Sequence, residues 1–219
     1  MEIVIKNYTK YIKKRLILKD INLKLESGNV YGFRGQNGSG KTMLMRAITG
    51  LIYPTKGRVY IDGKRIGKDI SSPKSVGILI ENPSFLDEYT GYDNLKMLSD
   101  ISVKIKKQDI LEVMEKVGLI PEDKRLYREY SLGMRQKLGV AAAIMGEPEL
   151  IILDEPINAI DEEGVQRVRE LLRELRNKNK LIIVACHDRE ELDFLSDTIF
   201  ELEEGKVVKT YGGKGYEDN

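Results

Sequence analysis

One cysteine and one histidine in 219 residues set the first limits. A single thiol, Cys186, forms no internal disulfide and suits a reducing compartment. No His/Cys cluster stands at zinc-ligand spacing. No apolar run approaches the roughly 20 residues that a membrane-spanning helix needs; the longest, such as 181–186, have the length of buried strands. The start, Met1-Glu2-Ile3-Val4-Ile5-Lys6, alternates like a strand and lacks the apolar core of a signal peptide. Neither charge sign dominates: 36 Lys and Arg against 35 Asp and Glu leave +1. Nothing in that balance advertises a nucleic-acid surface. Internal repeats and low-complexity segments are absent too. What remains is a globular mixture, 41% hydrophobic and 32% charged, long enough for one large α/β domain or a core with an inserted subdomain. The expectation is a soluble cytoplasmic protein, any membrane role of which needs a separate subunit.

The stretch that organises the chain is Gly35-Gln36-Asn37-Gly38-Ser39-Gly40-Lys41-Thr42. It fits G-x-x-x-x-G-K-[ST], the phosphate-binding loop. Glycines let successive backbone N–H groups turn inward around phosphate oxygens with no Cβ in the way. Lys41 can reach the terminal phosphates of a nucleotide, and the Thr42 hydroxyl can sit on Mg²⁺. The context agrees: 29–33 reads as a strand before the loop and 42–48 as a helix after it, so bound phosphate would meet a helix N-terminus.

Around the loop, residues 2–6, 20–26 and 58–63 alternate as strands and suggest an antiparallel sheet near the nucleotide site. Tyr11 or Tyr8 could stack on a base there, or brace a strand edge. Residues 76–80 form an apolar run suited to a strand buried on both faces, ended by Glu81-Asn82-Pro83. From about Phe85 to Met145 the pattern turns helical. Leu95, Leu98 and Ile101 recur at helical spacing, as do Ile110, Leu111, Met114 and Val117 before Gly118. A helix-rich block between strand-rich ones suggests an inserted helical subdomain, 84–146, within a core of 1–83 and 147–219. Ser131 is a good N-cap for the helix running to Met145. Alone it reads as a cap, although a capping serine with a nearby glycine could also bind an anion.

The run 150–155 is four apolar residues followed by Asp154 and Glu155, the place where a parallel sheet puts its chemistry. If the extended geometry persists, neighbours point to opposite sides; Asp154 would hold the Mg²⁺ shell and Glu155 would orient water. Val165, Val168, Leu171, Leu172 and Leu175 stripe a helix. The apolar run 181–185 follows, and strand–helix–strand order argues for a parallel sheet. His187, just past that run, lies at the edge that bears the carboxylates, either structural or sensing phosphate. Residues 201–210 read as a hairpin turning at Glu204-Gly205. Gly212-Gly213-Lys214-Gly215 reads as a flexible end.

Taken together in this order, the motifs resemble the ATP-binding cassette (ABC) ATPases over nearly the whole chain. Residues 35–42 look like the Walker A loop, and 150–155 like the Walker B strand with its catalytic glutamate. Residues 156–161, ending at Asp161, look like the D-loop, and His187 like the switch histidine. Tyr130-Ser131-Leu132-Gly133-Met134 occupies the place of the Leu-Ser-Gly-Gly-Gln signature, keeping Ser131 and Gly133. The Q-loop position holds Glu81 instead of glutamine, which adds negative charge beside Mg²⁺ and ATP. The stacking aromatic is shifted: Ile12 falls near its place, with Tyr11 beside it. The Tyr-Ser-Leu-Gly-Met form with a glutamate Q-loop is similar to exporter ATPases of the bacitracin-resistance and lantibiotic-immunity type.

The resemblance implies a P-loop NTPase (RecA-like) core with a mostly parallel sheet, an N-terminal antiparallel β subdomain and an inserted helical subdomain. It implies Mg²⁺-dependent ATP hydrolysis with Glu155, His187 and Lys41 catalytic, and Thr42, Asp154 and Glu81 around the metal. Nucleotide contacts would come from residues 35–42, Tyr11, Ser131, Gly133 and Asp161. It further implies a second ATPase subunit, identical or homologous, and an integral membrane permease, with the chain peripheral on the inner face of the cell membrane. Alternatives are an ABC ATPase acting on ribosomes or DNA, and an ATP-switched binding module with little turnover.

Overall fold

Apolar runs that read as buried strands become neighbours in one sheet. In the computed structural model, which describes residues 1–101 and 105–213, β3 (Asn29–Arg34), β6 (Val76–Leu79), β7 (Leu150–Asp154), β8 (Leu181–Ala185), β9 (Thr198–Glu203) and β10 (Lys206–Gly212) form a six-stranded sheet in the order β10-β9-β3-β8-β7-β6. Pairings from β9 through to β6 are parallel, and β10 returns antiparallel on β9. That last hairpin turns at Glu204 (φ 45°) and Gly205 (φ 77°), two successive positive φ angles of the kind that match strand twist. A second, antiparallel sheet has the order β2-β1-β4-β5, from β1 (Glu2–Ile12), β2 (Arg15–Glu26), β4 (Lys56–Ile61) and β5 (Lys64–Arg65). The fold class expected from the sequence is the one found.

Burial on both faces explains why β7 and β8 lack alternation: every residue in each is buried. Alternate side chains still go to different places. Leu150, Ile152, Leu181 and Ile183 join a core with α1 (Lys41–Ile48) and the antiparallel sheet. Ile151, Leu153, Ile182 and Val184 join a second core with α4 (Leu132–Ile144) and α5 (Glu162–Asn177). Each fully buried Ile or Leu contributes about 1.5–3 kcal/mol.

Between β6 and β7 lie α2 (Gly91–Ser99), α3 (Lys107–Lys116), a 3-10 turn at Tyr127–Glu129, and α4. Ser131 caps α4 as the sequence suggests, accepting from Met134 N at 3.2 Å. Leu98 and Ile101, at helical spacing with Leu95, are 41% and 83% exposed, because α2 ends at Ser99 and the core takes Leu95 alone of the three.

Three features depart from the sequence reading. The first hairpin runs far beyond residues 2–6 and 20–26. Its pairing slips between Ile5 and Tyr8, Tyr8 and Lys10, and Lys10 and Tyr11, and such bulges reset which face a side chain takes, erasing the period of two. The short helix α6 (Arg189–Leu195) carries only two buried side chains, Leu192 and Leu195, too few to mark a period. At the C-terminal end, Gly212 closes β10; Lys214 and Gly215 lie outside the described residues.

The helical insertion meets the sheet with no space to spare where α4 crosses β6: a Cβ on Gly77 would overlap the carbonyl oxygen of Ala143. Gly77→Ala is therefore expected to destabilise the fold by about 1–3 kcal/mol through overpacking. A urea melt should show a lower midpoint with unchanged slope; an unchanged midpoint would mean that α4 can move away freely.

Candidate functional site

The strand β3 ends at Arg34 and the loop 35–40 follows. Gly35, Gly38 and Gly40 have φ of 152°, 81° and 110°. At Gly40 a Cβ would be strained by φ and would also press on Leu18 at 2.9 Å. Helix α1 starts at Lys41 with Gly40 as its N-cap, no side-chain cap and no acidic residue in its first turn. Its leading N–H groups are thus left for an external acceptor, and the helix dipole favours an anion there. Lys41 is buried and folds back into the loop, donating from Nζ to Gly35 O at 2.6 Å and Gln36 O at 3.3 Å. The Ser39 Oγ, in a residue only 6% exposed, has no hydrogen-bond partner. A cradle of unfilled donors with a cation at its centre fits phosphate.

Across this loop stand the ends of β7 and β8. Thr42 Oγ1 donates to Asp154 Oδ2 at 2.8 Å, so the hydroxyl and carboxylate expected around Mg²⁺ are already together. The strand stops at Asp154. Glu155 adopts φ 52°, so the expectation of opposite-facing neighbours along an extended strand does not hold there. Glu155 N donates to Ala185 O at 2.8 Å. Its Oε2 accepts from His187 N at 3.2 Å. The buried Oε1 lies 3.3 Å from His187 Nε2 and has no hydrogen bond of good geometry. Burial pushes the Glu155 carboxyl above the usual carboxylate range, and the bond and charge of His187 pull against that. A half-satisfied, partly desolvated carboxylate beside an imidazole suits holding a water molecule.

Two adjoining clefts share Asn37, Gly38, Ser39 and His187. The one of about 430 Å³ is lined by Arg15 and Ile17 of β2, by Lys41 and Thr42 at the start of α1, and by Glu81, Asp154, Glu155, Asn158 and His187. The one of about 780 Å³ lies between the loop and the β9–β10 hairpin, with Arg34, Gln36, Cys186 and Glu201 in its walls.

Other expected residues stand elsewhere. Tyr8 is fully buried, with its hydroxyl on Ile52 O at 3.2 Å, which rules it out as a base-stacking surface. Tyr11 is 44% exposed on β1 and lines neither cleft; Arg15 and Ile17 on the facing strand do. Ser131, Gly133 and Asp161 line neither cleft. Asp161 pairs with Lys137 at 2.7 Å. Glu81, at φ 64° and 62% exposed in its side chain, takes Arg46 Nη2 on its Oε1 at 2.7 Å. Its extra charge therefore arrives with a counter-charge from α1. Arg46, Gln136, Arg15 and Ile17 were given no functional role from the sequence, and Asn158 entered only within the stretch 156–161; a long polar side chain on a helix, as at Arg46 and Gln136, carries no periodic signal of what it faces.

This loop on this sheet defines a P-loop nucleotide-binding protein. Residues 18–158 match the family model described as ABC transporter, and the chain belongs to that family as an ABC transporter ATP-binding subunit. It is 44% identical over 201 residues to an uncharacterised ABC transporter ATP-binding protein, YybJ, of Bacillus subtilis (strain 168), covering 92% of each chain. It is 39% identical to the bacitracin transport ATP-binding protein BcrA of Enterococcus faecalis, covering 95% of this chain and 69% of that one. It is 35% identical to the lantibiotic transport ATP-binding protein SrtF of Streptococcus pyogenes, covering 95% and 91%. Among solved structures, the ATP-binding cassette MJ0796 bound to ADP and Pi superposes with a TM-score of 0.86 at 23% identity, over 98% of this chain and all of that one, a likeness of fold.

Thr42→Val removes the donor to the buried Asp154 and should lower stability without nucleotide by about 1–3 kcal/mol, while Thr42→Ser should keep most of it. Equal melting of the two variants would show that the hydroxyl bond does not hold the carboxylate.

Proposed function

We infer that the chain hydrolyses ATP as the motor subunit of an exporter, working as a dimer beneath a separate membrane permease. The observation that carries this is the convergence of Lys41, the Thr42–Asp154 pair and the unfilled Glu155 Oε1 on one cleft. Arg15 and Ile17 of β2 line this cleft together with the phosphate loop and the carboxylates, which suits a nucleotide lying with its base end at the hairpin and its terminal phosphate at β7.

Lys41 would release the loop carbonyls and take the terminal phosphates, with the loop amides and Ser39 Oγ completing the shell. Thr42 and Asp154 would hold Mg²⁺, with Glu81 beside them. When bound, that ion supplies charge neutralisation on the phosphate oxygens. Glu155 Oε1 accepts a hydrogen bond from the attacking water, and His187 steadies the carboxylate and faces the terminal phosphate. Placement of Ser131 and Gly133 outside their own chain's cleft supports a head-to-tail pair in which each subunit completes the other's site, with Asp161 near the seam.

The exporter reading draws on the relatives named for bacitracin and lantibiotic transport. Among the described residues no helix is long and apolar enough to cross a membrane, so the passage would belong to another subunit, and the chain would sit on the inner face of the cell membrane. Leu86, Tyr89, Leu98 and Ile101 are exposed on the stretch after Glu81 and offer the apolar surface that such a subunit would cover.

Glu155→Gln should slow turnover by roughly 10²-fold or more yet retain ATP, and with Mg-ATP it should sediment as a dimer. Captured from detergent-solubilised membranes in that state, it should bring a stoichiometric integral membrane protein. Ribosomal or DNA-bound material without a membrane protein would instead favour a non-transport role, and unchanged hydrolysis would remove Glu155 as the key residue.

A further inference from the structure

Glu155 sits in a backbone conformation that a non-glycine residue adopts at a cost. Something must hold it there. The strand ladder supplies one restraint, from Glu155 N to Ala185 O. On the other side of the peptide, Glu155 O accepts from Asn158 N at 3.2 Å and from the side chain of Gln136, Nε2, at 2.7 Å. Gln136 is 7% exposed and belongs to α4, the helix that Ser131 caps. A buried amide given to a backbone carbonyl is a strong constraint, because losing it leaves that carbonyl with only the longer bond from Asn158 N and leaves nothing to tie it to α4.

The same helix touches the following loop twice more. Lys137 pairs with Asp161 at 2.7 Å. Gly133 approaches so closely that a Cβ there would lie 2.6 Å from Ala159 O. Three contacts within about one helical turn, from Gly133, Gln136 and Lys137, fix the start of α4 to the segment 155–161.

We propose that Gln136 is a positioning residue for Glu155, holding its peptide in the left-handed conformation that aims the carboxylate at the cleft, and that it ties Ser131 and Gly133 to the catalytic loop of their own chain. This rests on the role given to Glu155 above. In a dimer in which the start of α4 serves the other subunit's nucleotide, the tie makes engagement at one site felt by the glutamate of the other.

The test uses Gln136→Met, which keeps length without a donor, and Gln136→Glu, which keeps shape but sets an acceptor against the carbonyl. Both should lower kcat roughly tenfold or more while the dissociation constant for ATP stays within about twofold, a split that general damage to the fold would not give. In a Glu155→Gln background, adding Gln136→Met should change residual turnover by less than about twofold, since residues acting as a unit are not additive. Wild-type kcat in both variants, an equal loss of ATP affinity, or a full additive loss in the Glu155→Gln background would overturn the role of Gln136. Absence of hydrolysis in the unsubstituted protein would instead overturn the reading of Glu155 on which it rests.

Discussion

The site depends on the register of three parallel strands. Phe33 on β3 and Asp154 on β7 both pair with Ala185 on β8, so the three strands reach their C-terminal ends at one level. Everything that follows them emerges at that level: the phosphate loop after β3, Glu155 after β7, His187 after β8. A slip of one residue in any of these pairings would turn its side chains to the other face and displace the chemistry by a strand step. Burial on both sheet faces makes such a slip costly, since Ile, Leu and Val from β7 and β8 fill two separate cores.

Two sets of contacts are laid over that frame. The loop and α1 provide positive potential, from Lys41 and free N–H groups, where phosphates would lie. The strand ends provide carboxylates of differing condition. Asp154 is bonded to Thr42 and sits as a ligand would; Glu155 is left with an unsatisfied oxygen and a raised pKa, as a water-orienting group would be. Different surroundings give adjacent acids different work.

Much of this was legible in the sequence because it rests on local patterns. Apolar runs gave β6, β7 and β8, glycines at fixed spacing gave the loop, and Ser131 gave the start of α4. Illegible parts depend on long-range contact or broken periodicity. Residues 7–12 and 15–19 belong to the paired strands of the first hairpin, but bulges scramble their alternation. Leu98 and Ile101 keep helical spacing yet face solvent. Arg46 and Glu81 are 35 residues apart, and Gln136 and Glu155 are 19 apart; nothing local announces either pair. The turn at Glu155 was hidden too, since a strand pattern does not show where the extended backbone stops.

The central claim is that the chain turns over ATP and needs a second copy or a homologue to do so. The most direct measurement is phosphate release from Mg-ATP by the purified chain over a wide range of protein concentration, beside Lys41→Ala. A self-complementing pair gives specific activity that rises with concentration to a plateau and falls to background in the lysine variant. Release no greater than in that variant at any concentration, with ATP still bound, would contradict the hydrolytic motor and leave a nucleotide-switched binding module.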